Sequence, residues 1–257
     1  DIIAAAGECE TSYGPLSLDL GKTYYWKVNE VNLAEEPSTW QGDVWNFATP
    51  EYLVVDNMDS YTDRIIIKPI WIDGYFCVDW GDPQVPPPVT GGCSGSFVDG
   101  SSTVTHDGSS RSMVYYYDND GTTYPGPGNE YWEYDAPYYS EIEASTSGLN
   151  SLEVGQDWTC AKALVLWFYG EPNNAAEQMY VKLNGSKVIY DGDAGDVQQA
   201  GWHEWNIALS DFGVDLQNVT TVYIGFGNEN NTTTPGGSGV VYFDDIRLYP
   251  AGCVLSK

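Results

Sequence analysis

Apolar and polar side chains alternate along much of the chain, a pattern typical of β-strands. The clearest case is Gly239–Tyr249, GVVYFDDIRLY, which is rich in β-branched and aromatic residues. Successive side chains of a strand point to opposite faces. The even-numbered residues from Val240 to Leu248 therefore share one face. Because Ile246 and Leu248 have no polar atoms, we expect this face to point to the core and to carry Asp244 with it.

The rest of the chain also consists of short strand-like segments separated by turn signals. Ala163–Tyr169 is almost wholly apolar, which predicts a central, buried strand. Asn184-Gly185 predicts a type I′ hairpin turn, and only Ser210–Phe212 suggests a helical turn. The predicted fold class is therefore all-β, a sandwich of jelly-roll type. The other predicted strands are Lys22–Asn32, Asp43–Thr49, Ser112–Tyr117, Tyr138–Ala144, Gln178–Leu183, Lys187–Tyr190, Trp202–Leu209 and Thr221–Gly227.

The first fifty residues predict a separate, incomplete domain. GKTYYWKV and GDVWNFATP, within residues 1–50, resemble the last two strands of a fibronectin type III-like sandwich. Such a sandwich needs about seven strands, so the resemblance implies an open sheet edge. Either the chain has been trimmed, or a neighbouring copy supplies the missing strands. We place the jelly-roll domain at 51–250 and a linker or tail at 251–257.

The charge balance restricts the partners that the protein can bind. The chain has 37 Asp and Glu against 10 Lys and Arg, a net charge of −27. Nucleic acid and anionic membranes are disfavoured, because both require clustered positive charge. Calcium ions and neutral ligands suit an acidic surface. No apolar run is long enough to span a membrane, no signal peptide is visible, and Asp1 is not an initiator. We therefore expect a processed protein that is secreted or on the cell surface.

The five cysteines show none of the paired spacing of a zinc site. Cys77 and Cys93 flank a loop rich in proline and glycine and would close it as a disulfide. The odd number leaves one thiol free or paired with another chain. The sequence also contains sequons for N-glycosylation, which matter only if the host modifies them. They begin at Asn184, Asn218, Asn230 and Asn231.

Acidic residues recur at three distant places in the sequence. Asp56 and Asp59 lie in VVDNMDSY, Asp107 lies in HDGSSRS, and Asp244 and Asp245 form a pair in the last strand. A buried carboxylate without a partner is very costly. A calcium ion would neutralise the pair, because it takes hard oxygen ligands. The alternative is a carboxylate satisfied by backbone N–H groups or by an arginine.

Five motifs in this order resemble the jelly-roll, carbohydrate-binding-module-like domains of large secreted bacterial proteins of planctomycete type. The motifs are VVDNMDSY, HDGSSRSM, ALVLWFYGEPNNAAEQMYVKL, WHEWNIALSDFGVDL and VYFDDIRLY, and they span residues 51–250. The resemblance implies a structural calcium ion that ties the first strand to the last. Its ligands would be Asp56 or Asp59, the Asp244–Asp245 pair and backbone oxygens of HDGSSRS. Asp107 would be a ligand or simply the start of a turn.

Sugar binding would require exposed aromatic rings with amide or carboxylate neighbours. Trp167 and Trp205 we assign to the core instead. For every other candidate, core packing is the alternative, and the GEPNN turn is equally compatible with a simple hairpin. The aromatic candidates are Trp132, Tyr131, Tyr134, Tyr115, Tyr117, Trp80 and Trp158; Asn173 and Asn174, with Glu171, are the polar ones.

Three functional hypotheses follow. The first is a non-catalytic, calcium-stabilised module of a larger secreted protein that binds a neutral glycan. The second is a structural subunit of an extracellular filament or surface assembly, joined to copies of itself through the N-terminal edge. The third is a glycoside hydrolase that uses Glu141 and Glu143, which share a strand face. No nucleophile motif lies near either histidine, so we predict that the protein is not an enzyme.

Overall fold

The computed structural model describes residues 18–74, 94–121 and 138–250. The chain separates into two compact units, Asp1–Tyr52 and Leu53–Lys257. Both are built from β-strands, so the predicted all-β class is confirmed. Among the described residues, no helix is long and apolar enough to cross a membrane.

The first unit contains two small antiparallel ribbons. Strand β1 (Thr23–Trp26) and strand β2 (Asn29–Val31) divide the single strand expected from Lys22 to Asn32. Strand β3 (Thr39–Gln41) pairs with β2, and strand β4 (Trp45–Ala48) pairs with β1. The long strand was a wrong prediction, because two different partners follow it in sequence.

Among residues 18–52, the described part of this first unit, the apolar side chains are largely exposed. Tyr24 stacks on Phe47 with ring centroids 5.8 Å apart, and Trp26 stacks on Trp45 at 6.3 Å. Trp26 and Trp45 nevertheless remain 50% and 59% exposed. Two short ribbons bury too little surface to shield these rings. That this unit is a piece of a fibronectin-like domain stays a prediction.

The second unit has eleven strands and little helix among its described residues. These residues contain two single 3₁₀ turns, Asp196–Gln198 and Leu209–Phe212. The second of them is the turn predicted near Phe212. In chain order the other elements are β5 (Leu53–Asp56), α1 (Arg64–Ile67), β6 (Trp71–Ile72), β7 (Ser96–Ser102), β8 (Ser112–Asp118), β9 (Tyr139–Ser145), β10 (Ala163–Tyr169), β11 (Met179–Leu183), β12 (Ser186–Ile189), β13 (Trp202–Ala208), β14 (Thr221–Gly227) and β15 (Ser238–Tyr249).

These strands form a two-sheet sandwich. The first sheet has the order β13-β10-β15-β8-β7, and β5 adds to β15. The second sheet has the order β12-β11-β14-β9-β6. Every pairing among these strands is antiparallel. The inner faces of both sheets supply one apolar core, and the outer face of each sheet points away from that core.

Local sequence explains two connections. Asp63 is the N-cap of helix α1, and its carboxylate accepts hydrogen bonds from the backbone N–H groups of Ile65 and Ile66. The turn between β11 and β12 is Asn184-Gly185, with φ of 49° and 84°. Positive φ at both positions characterises the type I′ turn that the sequence predicts, so that prediction is confirmed.

The strand β15 changes the side chains that it points to the core halfway along. Before the change Val241 and Phe243 are buried, and after it Ile246 and Leu248 are buried. Asp245 has a φ of 50°, and the register with β10 shifts at the same place. This is a β-bulge, which lets two successive residues oppose one. The predicted even-numbered core face is therefore right after the bulge and wrong before it.

Candidate functional site

Two carboxylates from distant parts of the chain meet the same loop, His106–Ser110. Asp244 is completely buried and accepts hydrogen bonds from the His106 backbone N–H at 2.9 Å and the Ser109 hydroxyl at 3.1 Å. Asp59 accepts from the Ser110 backbone N–H at 2.6 Å and from the Ser110 hydroxyl at 2.8 Å. We call Asp59, Asp244 and this loop the acidic clasp. It ties the segment after β5 to β15 through hydrogen bonds; that a calcium ion joins them stays a prediction.

The two clasp carboxylates differ in their electrostatics. Burial raises the pKa of Asp244 to about 6, and the neighbouring charge of Asp245 adds to the effect. Slight burial acts in the same direction on Asp59, but the hydrogen bonds from Ser110 hold its pKa below the ordinary value. A buried carboxylate whose pKa is raised is under-stabilised as an anion. Asp244 is therefore the clasp residue that would gain most from a cation.

Asp245 is neutralised by the protein itself. Its carboxylate pairs with the Arg247 guanidinium at 2.5 Å and lies 2.8 Å from Nδ1 of His106. Both of its oxygens are engaged in this way. The bulge places Asp245 beside these partners, because it points the side chains of Asp244 and Asp245 in different directions. The arginine alternative considered for this pair therefore describes Asp245.

The remaining predicted metal ligands have other surroundings. Asp56 is buried, and its oxygens accept from the Tyr61 hydroxyl at 2.6 Å, the Trp71 indole at 2.9 Å and the Met58 backbone N–H at 2.9 Å. Burial raises its pKa even so. Asp107 is exposed and has a φ of 27°. Asp56 thus anchors the buried end of β5, and Asp59 is the better candidate to face a cation.

The clasp suits a calcium ion only with help from neutral oxygens. Among the described residues, no group of three Asp, Glu, His or Cys side chains converges as a metal site. Two carboxylates, two serine hydroxyls and the carbonyls of a tight loop are nevertheless hard oxygen donors of the kind that calcium binds. The donor set fits the ion in chemistry.

The structure moves several predicted sugar-binding residues into the core. Tyr115 and Tyr117 are 0% and 1% exposed and pack against Phe226, so the platform predicted for them is wrong. Trp158 is completely buried as well. All three side chains lie on the inner side of the sandwich, where the alternative of core packing holds. The predicted core position of Trp205 is confirmed, at 2% exposure.

The two asparagines of the GEPNN turn differ. Asn174 is buried; its amide donates to the backbone carbonyls of Val197 and Val240, and its oxygen accepts from the Val240 N–H. With every donor and acceptor in use, Asn174 holds the turn against β15 and is unsuited to sugar hydroxyls. That prediction is wrong for Asn174. Asn173 is exposed and stays a prediction.

Other predictions fall outside the described residues. These are the aromatic residues Trp80, Tyr131, Trp132 and Tyr134, and the disulfide between Cys77 and Cys93. Cys160, which is described, is a free and exposed thiol. Of the sequon asparagines, Asn184, Asn218 and Asn230 are exposed and Asn231 is half-buried. Asn184 uses its side chain to hold Asn218 and Thr220, and Asn231 holds Thr234.

The outer face of the second sheet carries a group of residues that sequence reasoning did not assemble. Tyr139, Glu141 and Glu143 of β9 point outward, because the residues between them are buried. The register places Tyr223 of β14 beside Glu143, and Lys182 of β11 beside Tyr223. Tyr180 on β11, which is completely buried, and Lys187 on β12 complete the set. We call these seven residues the tyrosine face.

Opposite charges on the tyrosine face are paired. The Lys182 ammonium lies 2.6 Å from Glu141, which also accepts a hydrogen bond from the Tyr180 hydroxyl at 2.8 Å. Lys187 pairs with Glu229 from the loop after β14. The side chains of Lys182 and Glu141 are only 12% and 9% exposed. The face is therefore recessed, although it lies outside the core.

The lysines also lie against the aromatic rings. The ammonium of Lys182 is 4.6 Å from the ring centre of Tyr223, and that of Lys187 is 4.2 Å from the ring centre of Tyr180. Tyr180 crosses over Gly225, where a Cβ atom would come within 2.3 Å of the ring. Glycine is thus required on β14 for Tyr180 to lie flat. The result is a preorganised surface of rings, donors and acceptors.

Glu141 and Glu143 have unequal surroundings, which bears on the hydrolase hypothesis. Burial raises the pKa of Glu143, and the charge of Glu141 adds to this. Glu141 is held as the partner of Lys182. Two residues apart on one strand, their Cα atoms are roughly 6.6 Å from each other. A raised pKa is one property of a general acid, but both carboxylates are also held by neighbouring side chains.

The outer face of the first sheet is different, because it is strongly aromatic. Trp167 is half-buried there and stacks on His106, with centroids 4.0 Å apart. The prediction that Trp167 lies in the core is therefore wrong, since β10 points its core side chains in the alternate positions, among them Leu166 and Phe168. An apolar strand with both faces covered does not reveal which residues point inward.

Comparisons with known proteins find only distant structural similarity. No protein-family profile matches the chain, and no curated protein matches its sequence. Among solved structures, a family 11 carbohydrate-binding module from Clostridium thermocellum, in complex with a β-1,3-1,4-mixed-linked tetrasaccharide, is 14% identical; the match covers 61% of this chain and 82% of that one, with a TM-score of 0.35. A family 30 carbohydrate-binding module of a cellulosomal cellulase from the same organism is 11% identical, covering 78% and 98%, with a TM-score of 0.40.

A third similar solved structure is an adhesin domain. The K3 cleaved adhesin domain of Lys-gingipain from Porphyromonas gingivalis is 15% identical, covering 77% of this chain and 99% of that one, with a TM-score of 0.35. TM-scores and identities this low place the chain in none of these families. The planctomycete-type origin stays a prediction.

Proposed function

We propose that the second unit is a non-catalytic module that binds a neutral glycan on the tyrosine face. The observation that supports this most directly is the recessed surface in which the partly exposed rings of Tyr139 and Tyr223 lie among carboxylates and ammonium groups. Tyrosine offers an apolar ring and a hydroxyl, which matches the two sides of a sugar. The paired charges supply hydrogen-bond acceptors and donors for hydroxyl groups.

The charge of the protein favours a neutral ligand. Glu141 and Glu229 already neutralise the two lysines of the face, and Glu143 adds a further acidic group. The net charge of the chain is −27. An anionic polysaccharide would therefore meet an acidic surface with its cations already in use.

Calcium is the second part of the proposal, and the acidic clasp is its site. Asp59 and Asp244 would be the charged ligands, and the hydroxyls and carbonyls of the loop would complete the shell. The ion would supply the positive charge that the buried Asp244 otherwise lacks. Because the clasp joins segments far apart in sequence, an ion bound there would stabilise only the folded state.

Titration calorimetry with neutral hexasaccharides of β-1,4-linked glucose, mannose or xylose tests the glycan site. Tyr223→Ala should weaken the binding of the recognised sugar at the tyrosine face by about tenfold, because a central contact ring is lost. Tyr25→Ala, which removes an exposed tyrosine of the first unit, is the matched control and should leave binding unchanged. Equal affinities for both variants and the unaltered protein would refute the tyrosine face as the site.

The hydrolase is the second candidate, favoured by the raised pKa of Glu143. It is tested by prolonged incubation with the same hexasaccharides, followed by chromatography of the products. A non-catalytic module leaves the hexasaccharides intact. Shorter sugars that disappear with Glu143→Gln would establish hydrolysis and refute the non-catalytic proposal.

A further inference from the structure

The outer face of the first sheet carries a row of aromatic rings, one on each of four adjacent strands. They are Trp202 on β13, Tyr169 on β10, Tyr242 on β15 and Tyr116 on β8. All four alternate with residues that point to the core. We call this row the aromatic band. It lies on the side of the sandwich opposite the tyrosine face and shares no residue with it.

The strand register explains the row. Tyr169 lies directly opposite Trp202 on one side and Tyr242 on the other. The ring centroids are 5.6 Å and 5.9 Å apart in these two pairs. Tyr116 lies opposite Val240, one outward position along from Tyr242. With strands about 4.8 Å apart, the band extends roughly 14 Å across the sheet.

Neighbouring rings at both flanks of the band are covered, and within the band Trp202 packs edge-on against His106 and donates its indole N–H to the Thr105 carbonyl at 3.0 Å. His106 stacks on Trp167 at 4.0 Å, and the Arg64 guanidinium lies 3.7 Å from the ring centre of Phe97. Planar polar groups of the protein therefore already occupy these two neighbouring rings. Tyr116 is 43% exposed, and the other three rings are half-buried. The band is therefore anchored at Trp202 and still presents partly exposed rings on Tyr169, Tyr242 and Tyr116.

The chemistry of the band is amphipathic rather than purely apolar. Three of its members are tyrosines, and the Glu171 carboxylate hydrogen-bonds to Tyr242. The exposed Asn173 follows on the same turn. Two aliphatic residues on the same outer face beside the band, Val165 and Val114, are 1% and 7% exposed. A protein partner generally requires a broader apolar patch, whereas rings with hydroxyl and carboxylate edges suit a sugar chain.

We propose that the aromatic band is a second glycan site, which takes a single neutral chain running across the strands. This inference deepens the proposed function and rests on it for the class of ligand. The adjacent rings stand at 67° and 79° to each other. Such rings share no plane, so they contact a separate, flexible chain better than a flat crystalline surface. With one site on each outer face, a single molecule would bind two chains.

The stoichiometry of hexasaccharide binding tests this proposal. The probe is whichever of the β-1,4-linked gluco-, manno- and xylohexaoses binds the unaltered protein. Titration calorimetry should give two sugars per chain for the unaltered protein and one for Tyr169→Ala. Tyr116→Ala, at a more exposed position, should weaken the same site and serves as a second variant if Tyr169→Ala fails to fold. Tyr242→Phe keeps the ring and should retain two sites.

The two sites fail in distinguishable ways. One sugar per chain that is lost with Tyr223→Ala and unaffected by Tyr169→Ala would overturn the aromatic band and leave the tyrosine face. One sugar that is lost with Tyr169→Ala alone would support the band and overturn the tyrosine face. Two sugars per chain for both Tyr169→Ala and Tyr116→Ala would overturn the band. Sedimentation that shows a dimer, abolished by Tyr169→Ala without a change in stoichiometry, would also overturn it.

Discussion

Replacing Asp59 by asparagine tests whether calcium binds at the acidic clasp, because the substitution should weaken calcium binding without changing the stability of the calcium-free fold. Asp59 is exposed, and its partner is the backbone N–H and hydroxyl of Ser110. An asparagine oxygen accepts the same hydrogen bonds but carries no charge. We therefore expect Asp59→Asn to fold normally and to bind calcium weakly. Asp244→Asn should bind weakly too, but it alters a completely buried group.

The expected effect follows from binding linkage. Extracellular calcium sites have dissociation constants of about 10⁻⁴ to 10⁻³ M. With about 10 mM calcium and the tighter value, the ion would stabilise the folded state by about 2.7 kcal/mol. For a unit of this size, each kcal/mol raises the melting temperature by about 2–4 °C. Calcium should therefore raise the melting temperature by about 5–10 °C.

Differential scanning calorimetry with calcium and with chelator measures this shift. Asp59→Asn should lose most of the calcium effect while keeping the chelator melting temperature within about 2 °C of the unaltered protein, as expected for a surface substitution. Asp211→Asn, at another exposed aspartate, is the control and should retain the full shift. If calcium leaves the unaltered protein unmoved, or if Asp59→Asn keeps the whole shift, the clasp is not a calcium site.

Three further predictions concern stability. Asn174→Ala should lower the free energy of unfolding by about 2–4 kcal/mol in urea denaturation, because it leaves the buried carbonyl of Val197 and the part-buried N–H and carbonyl of Val240 without their side-chain partner. Gly225→Ala should cost about 1–3 kcal/mol and disturb Tyr180 fluorescence, because the new methyl group would lie 2.3 Å from that ring. Without calcium, Asp244 has a pKa raised from 3.8 to about 6, so the folded state holds a proton that the unfolded chain releases between these values. Its contribution to stability therefore falls by up to about 3 kcal/mol as the pH rises from 4 to 7, and urea denaturation of Asp244→Asn against pH should lack that component.

The sequence predicts the strands better than it predicts their faces. The period of two places Ile246 and Leu248 in the core correctly, but it fails for Val240, because the bulge at Asp245 shifts the alternation. A bulge leaves little trace in composition when the residue with positive φ is not glycine. The two acids in succession are the only local sign that the strand bends there.

Aromatic content explains why the predicted sugar platform was misplaced. Tyr115 and Tyr117 alternate with Tyr116, so the segment has the same residue type on both faces, and only the tertiary pairing shows which face is inside. The tyrosine face did leave a signal, since Glu141, Glu143 and Lys182 stand at positions that alternate with small or apolar residues on their strands. Its assembly from separate strands depends on a register that one sequence does not specify.

The exposed apolar side chains of the first unit bear on the filament hypothesis, which stays a prediction. Trp45 and Tyr25 are 59% and 71% exposed. If copies of the chain complete this unit, the protein should associate as its concentration rises, and substituting both residues by serine should abolish the association. Sedimentation velocity over a hundredfold range of concentration measures this, and a constant monomer would contradict it.

Mapping of the bound sugar by amide NMR tests the central claim most directly. During titration with the recognised hexasaccharide, the backbone amides of β9, β11 and β14 around Glu141, Lys182 and Tyr223 should shift and saturate together. The backbone amide signals of the first unit should not shift. If the sugar binds and none of the signals from these three strands moves at saturation, the tyrosine face is not the glycan site.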